Sequence, residues 1–140
     1  MRNLIISLAA SLICISSPSY SQNDPINEIV TSINKLLGGK TVVSFKKKEL
    51  IVEVFKNGKI FRRDRVKVDD LNAEATSYVE DEYAVVLRCS RRPGACVDKK
   101  LYIHKSQNQY TRLAILIKGN EGIKDELVAK LKKLILLYQK

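Results

Sequence analysis

The chain has 140 residues, enough for one domain, and 45% of them are apolar, which excludes a globally disordered protein. Its formal charge of +10 points toward anionic partners and away from basic ones. Three cysteines and a single histidine leave little room for metal or cysteine–histidine chemistry.

Met1-Arg2-Asn3 is a short positive start, and Leu4 to Ile15 is almost continuously apolar. At about a dozen residues this run is too short to span a bilayer. Ser17-Pro18-Ser19-Tyr20-Ser21 then breaks the helix and places small residues at the two positions a signal peptidase inspects. Residues 1–21 read as a signal peptide, and 22–140 as one domain beginning at Gln22. Cys14 follows Ile13 rather than a small residue, which argues against a lipoprotein anchor. Cleavage removes Arg2 and Cys14. No later stretch is long and apolar enough for a membrane span, so the expected location is periplasmic or secreted.

Asp24-Pro25 is a helix start, with a side-chain acceptor at the N-cap and proline at the first helical position. Ile26, Ile29, Val30, Ile33, Leu36 and Leu37 follow at helical spacing, and Gly38-Gly39 ends the helix. Asn27, Glu28, Ser32, Asn34 and Lys35 fall on the other, solvent-facing side. Thr41–Phe45 and Leu50–Phe55 read as strands around a Lys46-Lys47-Lys48 turn. Asn57-Gly58 is a strong hairpin signal, returning into Lys59–Val68. The charges Arg62, Arg63, Asp64 and Arg65 predict that this strand lies at an edge or bulges. Asp69-Asp70-Leu71-Asn72 is a turn, Ala75–Val79 a short strand and Glu80-Asp81-Glu82 a polar connection. Tyr83–Cys89 is the most strand-like run and is expected to be central. Lys100–His104 is extended, Ser106-Gln107-Asn108 turns the chain, and Tyr110–Lys118 is another strand. Asn120 is the expected N-cap of a final helix with Ile123, Leu127, Val128, Leu131, Leu134, Ile135 and Tyr138 on one stripe.

The expected class is α+β: an antiparallel sheet of about six to seven strands flanked by an N-terminal and a C-terminal helix. The element order resembles that of a pleckstrin-homology-like barrel. The resemblance is one of topology and implies no function.

Cys89 and Cys96 bracket Arg92-Pro93-Gly94-Ala95, which suits a type II turn able to bring two sulfurs together. An exported chain with this pair is expected to form a disulfide. The spacing is not Cys-x-x-Cys, which argues against a thiol-redox site. His104, the only histidine, would have to be the base of any hydrolase, and no Gly-x-Ser-x-Gly elbow exists. Asp69, Asp70 and Glu74, and Glu80, Asp81 and Glu82, sit in connections where charges are normally solvated. No metal site and no cofactor are expected. An enzyme is not expected either. The competing readings are a secreted hydrolase or thiol-redox enzyme and a purely structural envelope protein.

The basic residues carry the functional expectation. Lys46, Lys47 and Lys48 form one turn, and Lys56 and Lys59 flank another. Arg62, Arg63 and Arg65, Arg88, Arg91 and Arg92, and Lys99 and Lys100 are the candidate binding residues, with Arg91 and Arg92 displayed by the Cys loop. A non-enzymatic domain that binds an anionic ligand or a protein partner in the cell envelope is the expected activity. Nucleic acid is disfavoured, because tryptophan is absent and no aromatic cluster is interleaved with the lysines.

Overall fold

Asp24 and Pro25 start the first helix as their chemistry requires. In the computed structural model, which describes residues 24–91 and 94–139, Asp24 accepts a hydrogen bond from the Ile26 N–H at 3.1 Å. Helix α1 runs Pro25–Leu37 and ends at Gly38, whose φ of 69° is the left-handed conformation glycine adopts freely. The expected leader and cleavage point, Cys14, Arg92 and Pro93 lie outside the described residues.

Eight strands follow: β1 (Thr41–Lys46), β2 (Glu49–Lys56), β3 (Lys59–Lys67), β4 (Leu71–Val79), β5 (Ala84–Cys89), β6 (Val97–Leu101), β7 (Ser106–Tyr110) and β8 (Arg112–Leu116). They form a five-stranded sheet, β1-β2-β3-β6-β7, and a three-stranded sheet, β4-β5-β8. Every pairing is antiparallel. Helix α2 (Lys124–Tyr138) closes the chain after a 3-10 turn at Glu121–Ile123. The class is α+β, with more strands than expected and two sheets rather than one. These sheets do not close into a barrel, which corrects the pleckstrin-homology-like expectation. The chain crosses between sheets three times, so β1 and β7 remain separate edges instead of pairing.

Alternation along the strands builds the core. The inner face of the larger sheet presents Val43, Leu50, Val52, Val66 and Val97. The smaller sheet adds Val85, Leu87, Leu113 and Ile115. Helix α2 contributes Leu127, Leu131, Leu134 and Ile135, matching its predicted stripe. No helix among the described residues is long and apolar enough to cross a membrane.

Several local expectations change. The Lys100–His104 extension stops at Leu101, where the chain turns over residues 102–105, and Leu71 and Asn72 open β4 instead of completing a turn. The charged strand β3 is the centre of the larger sheet, not its edge, although it does bulge beside Val54 and Phe55. Ser106-Gln107-Asn108 is part of edge strand β7, and the turn precedes it, with Lys105 at φ 46°. Tyr83 stands outside β5 in the left-handed region. Asn120 does not cap α2; its amide donates instead to the Leu36 carbonyl at the end of α1.

The three crossings meet at the Cys89–Cys96 loop. The disulfide joins the end of β5 to the start of β6, with Cα atoms 5.8 Å apart. Cys89 N–H donates to the Thr111 carbonyl and Cys96 N–H to the Tyr110 carbonyl, on the crossing from β7 to β8. The Ser90 N–H and hydroxyl both donate to the Asp70 carbonyl, on the crossing from β3 to β4. Gly94 has a φ of 64°, in the left-handed region that glycine adopts freely.

Asn34 also departs from the helical pattern. Its Nδ2 donates to the Val43 carbonyl and its Oδ1 accepts from the Val43 N–H, both at 2.7 Å. The side-chain amide thus occupies the free edge of β1 as a neighbouring strand would. Removing it orphans a partly buried donor and acceptor. Asn34→Ala is expected to lower unfolding stability by about 2 kcal/mol in urea titration. Lys35→Ala, one residue away and exposed, should change it by less than about 0.5 kcal/mol.

Candidate functional site

Strand alternation divides the predicted basic residues. Arg63 and Arg65 project from the outer face of the larger sheet, and each is already paired. Arg63 donates through Nε and Nη2 to Glu53 Oε2 at 3.0 and 2.7 Å, and Arg65 does the same to Glu49 at 3.2 and 2.6 Å. The Glu53 bond holds the Arg63 guanidinium above its ordinary pKa, against the opposing effect of burial. Lys100 shares this face and lies 5.0 Å from the Tyr102 ring centroid. Arg88 is exposed on β5 opposite Arg112 of β8, and Arg91 is exposed in the Cys loop. Arg92 lies outside the described residues.

Arg62 and Lys99 point the other way, into the layer between the sheets. They flank Asp64, which is 0% exposed. Arg62 Nη2 donates to the Ala114 carbonyl of β8 at 2.9 Å. Its Nε lies 3.1 Å from Asp64 Oδ2 but out of line for a hydrogen bond. Asp64 is therefore an ion-paired carboxylate with neither oxygen hydrogen-bonded among the described residues. Burial raises its pKa, and Arg62 and Lys99 only partly oppose this. Burial likewise lowers the pKa of Lys99, with Asp64 opposing. Asp64 is fully buried and lines none of the depressions described below, so the cluster works between the sheets.

Five exposed lysines, Lys40, Lys56, Lys59, Lys105 and Lys118, stand at the end of the sheets that carries the Asn57-Gly58 turn, while Lys46, Lys47, Lys48 and Lys67 are exposed at the opposite end. Asn57 and Gly58 have φ values of 52° and 73°, the paired left-handed conformation of a type I′ hairpin. One side of this hairpin borders a depression of ≈ 860 Å³ whose walls include Lys40, Val54, Phe55, Lys56, Leu116 and Lys118. The other side borders a second, of ≈ 470 Å³, with Lys56, Lys59, Ile60, Phe61, Tyr102 and Ile103. Lys105 and His104 stand exposed in the same β6–β7 turn as Ile103. No carboxylate lines either depression. By contrast, the depression beside the Cys loop carries Glu49, Asp70 and Asp98 among its cations.

The cationic end also has an apolar component. Ile103 is 67% exposed, Leu116 55% and Tyr83 41%. Lys56 Nζ lies 3.9 Å from the Phe61 ring centroid and Lys118 Nζ 5.4 Å from that of Tyr83. These two ammonium groups thus sit over aromatic faces, a cation–π arrangement at the surface.

Of this constellation, Lys56 and Lys59 were legible as residues flanking a hairpin. Lys40, Lys105, Lys118, Ile103 and Leu116 were not, because they come from separate parts of the chain and carry no spacing signal. Among the described residues no three His, Cys, Asp or Glu side chains are grouped to hold a metal ion. No protein-family model, no curated protein and no solved structure matches the chain.

Asp64 yields a pH test. Its folded-state pKa lies above the unfolded one, so the native protein binds this proton first and stability from this group rises as pH falls through the folded pKa. Asp64→Asn imitates the protonated form. The wild-type melting temperature should therefore gain on that of Asp64→Asn as pH falls from neutral toward the ordinary carboxylate range. An unchanged difference would show a well-solvated or fully compensated carboxylate, and a wild type that loses ground would show one that Arg62 and Lys99 hold below its ordinary pKa.

Proposed function

We propose that this protein is an exported, non-enzymatic binding domain whose cationic hairpin end engages an anionic partner. The observation that carries the reading is the set of exposed lysines, Lys40, Lys56, Lys59, Lys105 and Lys118, around two depressions without a carboxylate in their walls. Unpaired ammonium groups in such a setting attract phosphate, sulfate or carboxylate and speed encounter with an anionic surface. Arg63 and Arg65 are poorer candidates, since Glu53 and Glu49 already occupy their guanidinium forks. Of the Cys-loop arginines, Arg91 sits at the end where carboxylates are interspersed.

A sulfated polysaccharide resin provides a generic polyanion to test the location. Lys56→Glu/Lys59→Glu/Lys118→Glu and Lys46→Glu/Lys47→Glu/Lys48→Glu change net charge equally. The first should elute at much lower salt than the second. Equal elution would show that net charge alone, and no particular end, governs binding.

The non-enzymatic part rests on His104, the single histidine of the sequence, which stands exposed on a turn and lines none of the depressions described above. Export rests on the leader-like residues 1–21 and on the Cys89–Cys96 bond, a linkage cytosolic proteins rarely keep. Expression of the full chain in a Gram-negative bacterium should deliver a periplasmic or medium form starting at Gln22. Intact mass should show no thiol reactive to alkylation before reduction and two after it. A cytoplasmic, unprocessed chain would overturn the export assignment.

A further inference from the structure

The hairpin end combines two properties that a simple polyanion site does not need together. Its ammonium groups come from Lys40, Lys56, Lys59, Lys105 and Lys118. Ile103 borders one of the two depressions and Leu116 the other; they are the two most exposed large apolar side chains of the described residues, at 67% and 55%. Tyr83 at 41% adjoins Lys118, and Tyr102 and Phe61 form part of the wall next to Ile103. The acidic turn Glu80–Glu82 precedes Tyr83 at this same end, with Glu82 paired to Arg112, so the carboxylates here lie on the Tyr83 side and outside the two walls.

Isolated exposed apolar residues are ordinary on soluble proteins. Their coincidence at one end, with lysines and no wall carboxylate, is what calls for an explanation. A flexible polyanion would contact the ammonium groups and leave Ile103 and Leu116 in water. A protein partner would bury the apolar residues, but lysine is depleted in protein–protein interfaces. An anionic bilayer surface uses both. Apolar tips enter the boundary between headgroups and acyl chains, and long lysine stems let ammonium groups stay level with the phosphates.

The position in the fold suits this contact. The end consists of turns and strand termini, so it can meet a plane without disturbing the sheets. The opposite end of the strands is fastened by the Cys loop, and its depression has carboxylates in the wall itself, which the two at the hairpin end do not.

Resting on the anionic-partner reading above, we propose that the hairpin end is a peripheral membrane contact for anionic phospholipid, with Ile103 and Leu116 inserting and the lysines gripping the headgroup phosphates. Each lysine near such a surface adds about fivefold in partitioning at moderate salt. Each inserted apolar side chain adds roughly tenfold when well buried.

The test uses the processed full domain and sedimentation of phosphatidylcholine vesicles with or without phosphatidylglycerol at about 30 mol%. The wild type should sediment with the phosphatidylglycerol vesicles and stay in solution with phosphatidylcholine alone. Ile103→Ser/Leu116→Ser should weaken partitioning at least about tenfold while leaving retention on the sulfated resin unchanged. Both positions are exposed, and circular dichroism verifies that each variant is folded. Lys56→Glu/Lys59→Glu/Lys118→Glu should abolish both vesicle binding and resin retention. Resin retention without vesicle binding would overturn the lipid contact and leave the anionic-partner reading standing. Vesicle binding indifferent to Ile103→Ser/Leu116→Ser would overturn insertion. Loss of neither activity in the lysine variant would overturn both readings.

Discussion

Three passages of chain link the two sheets, and all three are fastened at one place. Ser90 holds the Asp70 carbonyl, Cys96 and Cys89 hold the Tyr110 and Thr111 carbonyls, and the disulfide closes the passage that carries both cysteines. A loop this short contributes roughly 2–3 kcal/mol in the chain-entropy model. Its structural effect is wider than that figure suggests, because each bond orients a crossing between layers. Gln139, just beyond α2, donates to the carbonyls of Val68 and Leu71 and ties the last helix to the first of these crossings. The sheets are held by this knot, since neither edge of the larger one joins the smaller.

The knot also explains the polarity of the molecule. Strand termini at the Cys-loop end are committed to bonds between layers. Those at the Asn57-Gly58 end carry fewer such ties, among them Asn120 to Leu36, and display more of their side chains. Between the two ends, Arg62 spans the layers by donating to Ala114, and Asp64 accepts a desolvated position to remain beside it. A buried pair of this kind adds little net stability, because the charges lose their hydration. It does penalise any shift of β3 by one residue, which would carry Arg63 inside and Asp64 out of reach of its partner.

Much of the fold was legible in local chemistry. Asp24, Pro25 and Gly38 delimit α1 by caps that act within a few residues. Asn57-Gly58 demands a hairpin, and the α2 stripe is visible at helical spacing. The disulfide followed from the cysteine pair and the glycine between them. β3 was misjudged because its charges suit a solvent-facing strand when considered alone. They are tolerated at the centre of a sheet only because Glu53 and Glu49 stand on one face and Arg62 with Lys99 brackets Asp64 on the other. Ser106–Tyr110 was missed as a strand for the complementary reason: an edge strand facing water needs no apolar alternation.

The candidate site was less legible than the fold. A run such as Arg62-Arg63-Asp64-Arg65 looks like a patch, but a strand sends alternate residues to opposite faces. Sequence clustering therefore overstated what would act together. The lysines of the hairpin end show the converse, since they are scattered in sequence and neighbours in space. Sequence alone determined the helix limits, the hairpin turn, the cysteine pair and the α+β class, because capping, turn chemistry and periodicity operate over a few residues. Tertiary structure decided which strand is central, that the sheets stay open and which cations remain unpaired. Those outcomes depend on contacts between distant segments, and no local pattern encodes them.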